Sequence, residues 1–192
     1  MSSSEPPALP NTNGNGGHLF LIGYRGSGKS TVGPLVARRL QFPWLDSDDR
    51  IQQQQGCSIA EIFARGGESE FRRLESRVLN EITNTGNPPS VLSLGGGAIL
   101  AETNRRLMSE RGWTVWLTAP AEILMERIAG DQRSGDQRPN LTATGGMSEV
   151  IDVLRQREPL YRAAADAEVS VVGKSAEAVA EEIEALWRGR GA

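Results

Sequence analysis

The most informative segment of this chain is Gly23-Tyr24-Arg25-Gly26-Ser27-Gly28-Lys29-Ser30-Thr31. It satisfies the pattern G-x-x-x-x-G-K-[ST], follows the apolar run Leu19 to Ile22 and precedes a helical pattern of apolar residues. In such a loop, backbone N–H groups surround phosphate oxygens, the lysine bridges the outer phosphates and the next hydroxyl ligates Mg²⁺. A chance glycine loop is the alternative, but the strand before it and the helix after it argue against chance. The predicted ATP contacts are Gly26, Ser27, Gly28, Lys29, Ser30 and Thr31.

Apolar segments outside this loop alternate with segments of helical period. The strand-like runs are Val91 to Leu94, Val115 to Leu117, Trp44-Leu45 and Val169 to Val172. This alternation predicts an α/β protein with a parallel sheet covered on both faces.

The helical segments between the runs are marked by caps and glycines. Ser58 and Glu61 form a capping box for a short helix that stops before Gly66-Gly67, and a longer helix covers Glu68 to Thr83. Two more helices are predicted over Ser148 to Ala165 and Ser175 to Trp187. Residues 130–147 are polar and bracketed by glycines, which indicates a mobile lid.

Length and composition limit the function classes. A chain of 192 residues fits one domain, and a net charge of −3 gives no general attraction to nucleic acid or to a membrane surface. Cys57 and His18 are the only residues of their types, which argues against a disulfide or a cysteine-histidine metal site and favours a cytoplasmic location. Residues 1–17 have the composition of a disordered tail, and no apolar run is long enough to span a membrane.

Asp46-Ser47-Asp48 follows the second predicted strand, at the edge where parallel α/β sheets bind ligands. Either carboxylate could serve Mg²⁺ or an acceptor hydroxyl. The alternative is a helix N-terminus, because Asp and Ser cap helices. The absence of an N-K-x-D motif and of a simple Walker B strand disfavours GTPases and large ATPases.

Phosphoryl transfer to an anionic acceptor also needs cations and a close backbone approach. Gly95-Gly96-Gly97 after the third strand can lie against a small ligand, since no Cβ intervenes. Arginine is suited to gripping a carboxylate, and the candidates are Arg72, Arg138 and Arg157, although each could also be a solvated surface residue.

Five motifs in this order resemble the shikimate kinase family: the P-loop, W-L-D-S-D, I-F-A-R-G-G-E-S-E-F-R-R-L-E (62–75), L-G-G-G-A and R-E-P-L-Y (157–161). The resemblance extends from about Leu19 to Trp187. It implies a P-loop NTPase fold of the nucleoside-monophosphate-kinase type, with three layers, a five-stranded parallel sheet, substrate-binding helices at about 48–85 and the lid. It also implies ATP-dependent phosphorylation of the 3-hydroxyl of shikimate, a step of aromatic amino-acid biosynthesis.

The resemblance assigns roles residue by residue. Asp48 is implied as the base on the acceptor hydroxyl, and Asp46 as a water-mediated ligand of the Mg²⁺ cofactor beside Ser30. Arg72 and Arg157 are implied to clamp the shikimate carboxylate, with Gly95, Gly96 and Gly97 facing the ring. Phe63 and Phe71 would wall that ring.

Three further cations complete the site implied by the resemblance. Arg138 corresponds to the lid arginine over the ATP phosphates and, with Lys29 and Asp48, completes the catalytic set. The lid departs from the family, because Arg138-Pro139 is followed by Asn140-Leu141 where the family has two leucines. Arg127 and Lys174 fall near the adenine or outer-phosphate contacts.

Three readings of the chain therefore remain, and all expect small-molecule partners and a monomer. The first is a shikimate kinase acting on ATP and shikimate. The second is a related small-molecule kinase, such as a gluconate kinase, or a nucleoside monophosphate kinase. The third is an inactive nucleotide-binding module, which is disfavoured because Lys29, Asp48 and both clamp arginines are present.

Overall fold

A parallel sheet forms the centre of the molecule in a computed structural model that describes residues 17–130 and 146–190. Within these residues the sheet has five strands in the spatial order β2-β3-β1-β4-β5. The strands are β1 (His18–Ile22), β2 (Trp44–Asp46), β3 (Val91–Ser93), β4 (Gly112–Thr118) and β5 (Ala167–Ser170). The predicted five-stranded α/β fold is confirmed.

Helices cover both faces of the sheet. Over the described ranges they are α1 (Lys29–Leu40), α2 (Ser47–Gln55), α3 (Ile59–Ile82), α4 (Glu102–Arg111), α5 (Ala121–Gly130), α6 (Gly146–Ala164) and α7 (Ala176–Gly189), with a 3₁₀ turn at Ala98–Leu100. None of the helices in these ranges has the length and apolarity needed to cross a membrane.

The central strand β1 shows how the three layers are held together. Leu19 and Leu21 face a core shared with α1 and α7, whereas Phe20 and Ile22 face a core shared with α3 and Tyr161 of α6. All four side chains are at most 1% exposed. A strand covered on both faces reads as a continuous apolar run, which is why the sequence signal at Leu19 to Ile22 was strong.

The long helix α3 contains the glycine break that the sequence predicted. Ser58 and Glu61 form the capping box, with Ser58 Oγ accepting from Glu61 N at 3.2 Å and Glu61 Oε2 accepting from Ser58 N at 2.8 Å. The predicted stop before Gly66-Gly67 is a kink rather than a loop: only Gly67 leaves helical geometry, at φ 67° and ψ −170°. A single residue in the left-handed region is enough to redirect the helix.

Some predicted boundaries differ from the structure or lie outside it. Gly130 ends α5, and Gly146 begins α6, two residues before the predicted helix start at Ser148. Residues 131–145, the bulk of the predicted lid, lie outside the described residues, and so do residues 1–16 of the predicted tail. Helix α7 runs two residues beyond Trp187.

The carboxyl ends of β1, β2 and β3 are neighbours in this sheet. They lead directly into the P-loop, into Asp46-Ser47-Asp48 and into Gly95-Gly96-Gly97. Three motifs far apart in sequence therefore open onto one edge of the sheet, where parallel sheets place their ligands.

Candidate active site

The P-loop connects β1 to α1 through backbone conformations that only glycine adopts easily. Gly26 and Gly28 have φ values of 79° and 92°, and Gly28 is the N-cap of α1. The loop therefore turns its backbone N–H groups and the start of α1 toward the same space. Lys29 Nζ lies over this loop and donates to the carbonyls of Gly23 at 2.8 Å and Tyr24 at 3.0 Å.

Asp46 has two functions in the structure. Its Oδ1 accepts from the backbone N of Asp48 at 2.9 Å and so caps α2, as the alternative reading of the sequence proposed. Its Oδ2 accepts from Ser30 Oγ at 2.9 Å, across from the P-loop. One carboxylate thus begins a helix and also meets the hydroxyl predicted to ligate magnesium.

Burial and neighbouring carboxylates shift the pKa of Asp46. Burial raises its pKa, and the nearby charge of Asp48 raises it further, while the hydrogen bonds from Ser30 and the Asp48 backbone lower it. The net effect is a pKa above the ordinary value of 3.8. A cation placed beside these carboxylates would reverse that effect.

A cavity of about 720 Å³ lies above the P-loop. Its lining includes most of the predicted ATP and metal residues together with Asp48, Gly95 and Gly96. The two cations placed with least precision by the sequence also lie there: Arg127 Nη2 donates to the carbonyl of Val171 at 3.3 Å, and Lys174 Nζ pairs with Glu182 at 2.5 Å. The cavity is therefore bordered by both the P-loop and the segment after β5.

The Gly95-Gly97 turn is fastened on several sides. Gly95 N donates to Ser47 Oγ at 3.0 Å. A Cβ on Gly96 would lie 3.3 Å from the carbonyl oxygen of Gly23, and a Cβ on Gly97 would overlap the guanidinium of Arg72. A side chain at position 97 would therefore displace the guanidinium of Arg72, and one at position 96 would press on the P-loop backbone.

Arg72 is held by acidic neighbours on its own helix. Its guanidinium pairs with the buried Glu75 at 2.8 Å and with the exposed Glu68 at 3.1 Å, and it lies 5.3 Å from the centre of the Phe71 ring. Burial alone would lower the pKa of Arg72, but these carboxylates raise it. The Phe63 and Phe71 ring centres are 4.9 Å apart beside it.

Arg157 approaches the same turn from α6. Its Nη1 donates to the carbonyl oxygen of Gly96 at 3.2 Å. The hydroxyl of Tyr161, four residues later, donates to that same oxygen at 2.5 Å. Both predicted clamp arginines therefore touch the Gly95-Gly97 turn, Arg157 at Gly96 and Arg72 at Gly97.

The structure brings the predicted site residues together at one sheet edge, except Arg138, which lies outside the described residues. Sequence reasoning gave no role to Ser47, Glu75 or Tyr161. Ser47 stands between the two aspartates, and Glu75 follows Arg72 by one helical turn, so spacing could have indicated both. Tyr161 ends the R-E-P-L-Y motif one helical turn after Arg157, but its bond to Gly96 spans 65 residues and has no local signal.

The donor set fits magnesium but not a cage built from protein ligands alone. The residues described contain no group of three or more His, Cys, Asp and Glu side chains able to hold a metal. Ser30 and Asp46 offer hard oxygens 2.9 Å apart. Mg²⁺ commonly uses one or two such protein ligands and completes its shell with water and substrate phosphates.

Comparison with known proteins identifies the family. The shikimate kinase family model matches residues 25–187. A shikimate kinase from Rhodopirellula baltica is 44% identical over 166 residues, covering 86% of this chain and 88% of the relative. One from Paracidovorax citrulli is 42% identical with the same coverage.

Solved structures agree with the sequence relatives. The shikimate kinase from Acinetobacter baumannii in complex with shikimate has a TM-score of 0.82 at 35% identity, covering 90% of this chain and 93% of that one. A gluconokinase from Sinorhizobium meliloti has a TM-score of 0.54 at 19% identity, and so shares the fold only. On the matched motifs, the identity and the coverage together, this chain belongs to the shikimate kinase family.

Proposed function

We propose that this protein transfers the γ-phosphoryl group of ATP to the 3-hydroxyl of shikimate, giving shikimate 3-phosphate and ADP. The observation that carries the proposal is the meeting of Arg72 and Arg157 at adjacent glycines of one turn, Gly97 and Gly96. Gly96 also lines the P-loop cavity. Two guanidinium groups beside a side-chain-free turn suit a small ring that bears a carboxylate.

The positions of Asp48 and Lys29 suggest how the phosphoryl transfer would proceed. Asp48 lines the cavity between the P-loop and the Gly95-Gly97 turn, and it would accept the proton of the attacking hydroxyl. As the new O–P bond forms, the bond from the γ-phosphorus to the β–γ bridging oxygen breaks and ADP leaves. Lys29 would stabilise the charge on the transferring group.

Magnesium fits the site through Ser30 and Asp46, the latter through water. When bound, the ion would supply positive charge that offsets the negative charge of the phosphates. Arg138 in the lid, and Arg127 and Lys174 near the nucleotide, are proposed to add further positive charge on the ATP side. Excluding water from the site would favour phosphoryl transfer over hydrolysis of ATP.

A monomer in the cytoplasm is the simplest setting for this activity. The chain has one cysteine, Cys57, so its fold depends on no intramolecular disulfide and needs no oxidising compartment. Light scattering of the purified protein at micromolar concentration would test the monomer. Cell fractionation would test the location.

A coupled assay of ADP release tests the proposed function. ATP and Mg²⁺ would be offered with shikimate, quinate, gluconate or nucleoside monophosphates. Saturable turnover with shikimate alone is the expected result. Turnover with gluconate or a nucleotide instead would keep the P-loop chemistry but remove the proposed acceptor, and turnover with none of them would leave a binding module.

A further inference from the structure

The carbonyl oxygen of Gly96 has two donors from the same helix. Tyr161 Oη and Arg157 Nη1 reach it at 2.5 Å and 3.2 Å, and these two residues lie four positions apart on one face of α6. Tyr161 is fully buried, and burial raises the pKa of its phenol, so the hydroxyl remains a neutral donor.

The peptide group that contains this oxygen joins Gly96 to Gly97. At one end of this peptide, Gly97 lies so close to the guanidinium of Arg72 that a Cβ would overlap it. At the other end, Gly96 faces the P-loop, where a Cβ would lie 3.6 Å from Arg25 N. A rotation of this one peptide would move the contact surfaces of both arginines.

The ring of Tyr161 is held independently of its hydroxyl. It stacks on Trp116 of β4, with ring centres 5.6 Å apart and planes inclined by 14°. The stacked ring accounts for the packing of this side chain in the core. The hydroxyl is therefore a separable group that contacts the Gly96 carbonyl and the guanidinium of Arg157.

We propose that Tyr161 is a positioning residue for the acceptor: its hydroxyl fixes the Gly96–Gly97 peptide and thereby sets the separation at which Arg72 and Arg157 grip one carboxylate. This inference rests on the proposed function. A bidentate or paired guanidinium contact depends on geometry, and small misplacements of a clamp weaken it strongly.

Replacing Tyr161→Phe removes only the hydroxyl. The acceptor KM should rise by about tenfold, because a loosened clamp binds the carboxylate less well. The KM for ATP should change much less, since the hydroxyl donates to the Gly96 carbonyl and not to an atom of the P-loop. A role in core stability alone would lower the melting temperature without separating the two KM values.

Thr83→Val is the matched control. Thr83 is also a buried hydroxyl that donates to a backbone carbonyl, that of Leu79 at 2.8 Å, but it lies at the end of α3 away from the turn. Its loss should lower the melting temperature to a similar degree and leave both KM values unchanged. Equal acceptor KM values in the Tyr161→Phe and Thr83→Val variants would overturn the inference.

A double-mutant cycle shows whether Tyr161 acts through the clamp. In an Arg157→Ala background, Tyr161→Phe should add much less to the acceptor KM than it does in the native protein. Full additivity would contradict the inference. A native enzyme with no shikimate turnover would instead overturn the proposed function, and this inference with it.

Discussion

The two sides of the active site are built in different ways. The nucleotide side consists of the P-loop and Asp46. Most of its residues belong to one continuous segment that lines the cavity. The proposed acceptor side consists of Arg72, the Gly95-Gly97 turn and Arg157, which come from α3, the segment after β3 and α6. Its contacts span 61 residues in the case of Arg157 and Gly96.

This difference shows that a phosphate site can be local, whereas the proposed carboxylate site depends on tertiary packing. The backbone of the P-loop is set by glycines, so it forms wherever the strand and helix that flank it form. The proposed arginine clamp can form only if α3, α6 and the segment after β3 pack together. Substitutions on the acceptor side should therefore separate acceptor binding from ATP binding.

The largest effect should come from the residue between the two sides. Asp48→Asn keeps the shape of the side chain but removes the base, so turnover should fall by about 10²–10⁴-fold. ATP binding, followed by calorimetry, should be unchanged because the P-loop is intact. Asp152→Asn, an exposed aspartate on α6, serves as the control. Turnover that survives while ATP affinity is lost would contradict the role of Asp48.

Arg157→Ala should affect the acceptor side alone. Losing charge-assisted hydrogen bonds to a carboxylate costs about 1.5–3 kcal/mol, which corresponds to roughly a 10–150-fold rise in the acceptor KM. Steady-state kinetics with each substrate varied in turn would measure it, with the exposed Arg155→Ala on the same helix as control. An unchanged acceptor KM would remove Arg157 from the clamp.

Glu75→Gln sharpens the same comparison by disturbing the support of Arg72. The buried carboxylate pairs with Arg72 at 2.8 Å, so neutralising it should cost about 1–3 kcal/mol of stability and raise the acceptor KM several-fold. Glu68→Gln removes the exposed partner of the same arginine and should change much less. Similar melting temperatures for the two variants would show that burial of Glu75 is unimportant.

The smallest effect should appear at Asp46. The pKa of Asp46 in the folded protein is raised above the ordinary 3.8, so the folded state binds a proton at pH values between the two. The stability linked to this group is therefore lost as pH rises through the raised pKa. Asp46→Asn can still cap α2, and it should raise the melting temperature by about 2–4 °C per kcal/mol gained.

The pH dependence distinguishes this explanation from a general effect. The gain from Asp46→Asn should be larger at about pH 8 than at about pH 5, because the ionised carboxylate is the destabilising form. Thermal unfolding without nucleotide or magnesium would measure it. A gain that grows as pH falls would contradict the sign of the pKa shift, and full activity in the variant would argue against Asp46 as part of the magnesium site.

The sequence predicted the nucleotide side more completely than the acceptor side, for a physical reason. The strand at Leu19 to Ile22, the glycines and Lys29 are contiguous, and local backbone geometry determines their arrangement. The contact of Tyr161 with Gly96 spans 65 residues and exists only after α6 packs against β4 and the 3₁₀ turn that follows β3. The dual contact of Asp46 has a similar cause: its Oδ1 caps α2 locally, but its Oδ2 meets Ser30, 16 residues away, only when β2 and the P-loop lie at the same sheet edge.

Phosphorus NMR of the reaction mixture would show whether the γ-phosphoryl group of ATP reaches the 3-hydroxyl of shikimate. The native protein would be mixed with ATP, Mg²⁺ and shikimate, and the γ-phosphate signal followed with time. The account predicts that this signal is replaced by a phosphomonoester signal coupled to the proton at carbon 3 of shikimate, at the rate at which ADP appears and only when shikimate is present. Appearance of inorganic phosphate alone, or of an ester at another hydroxyl, would contradict it.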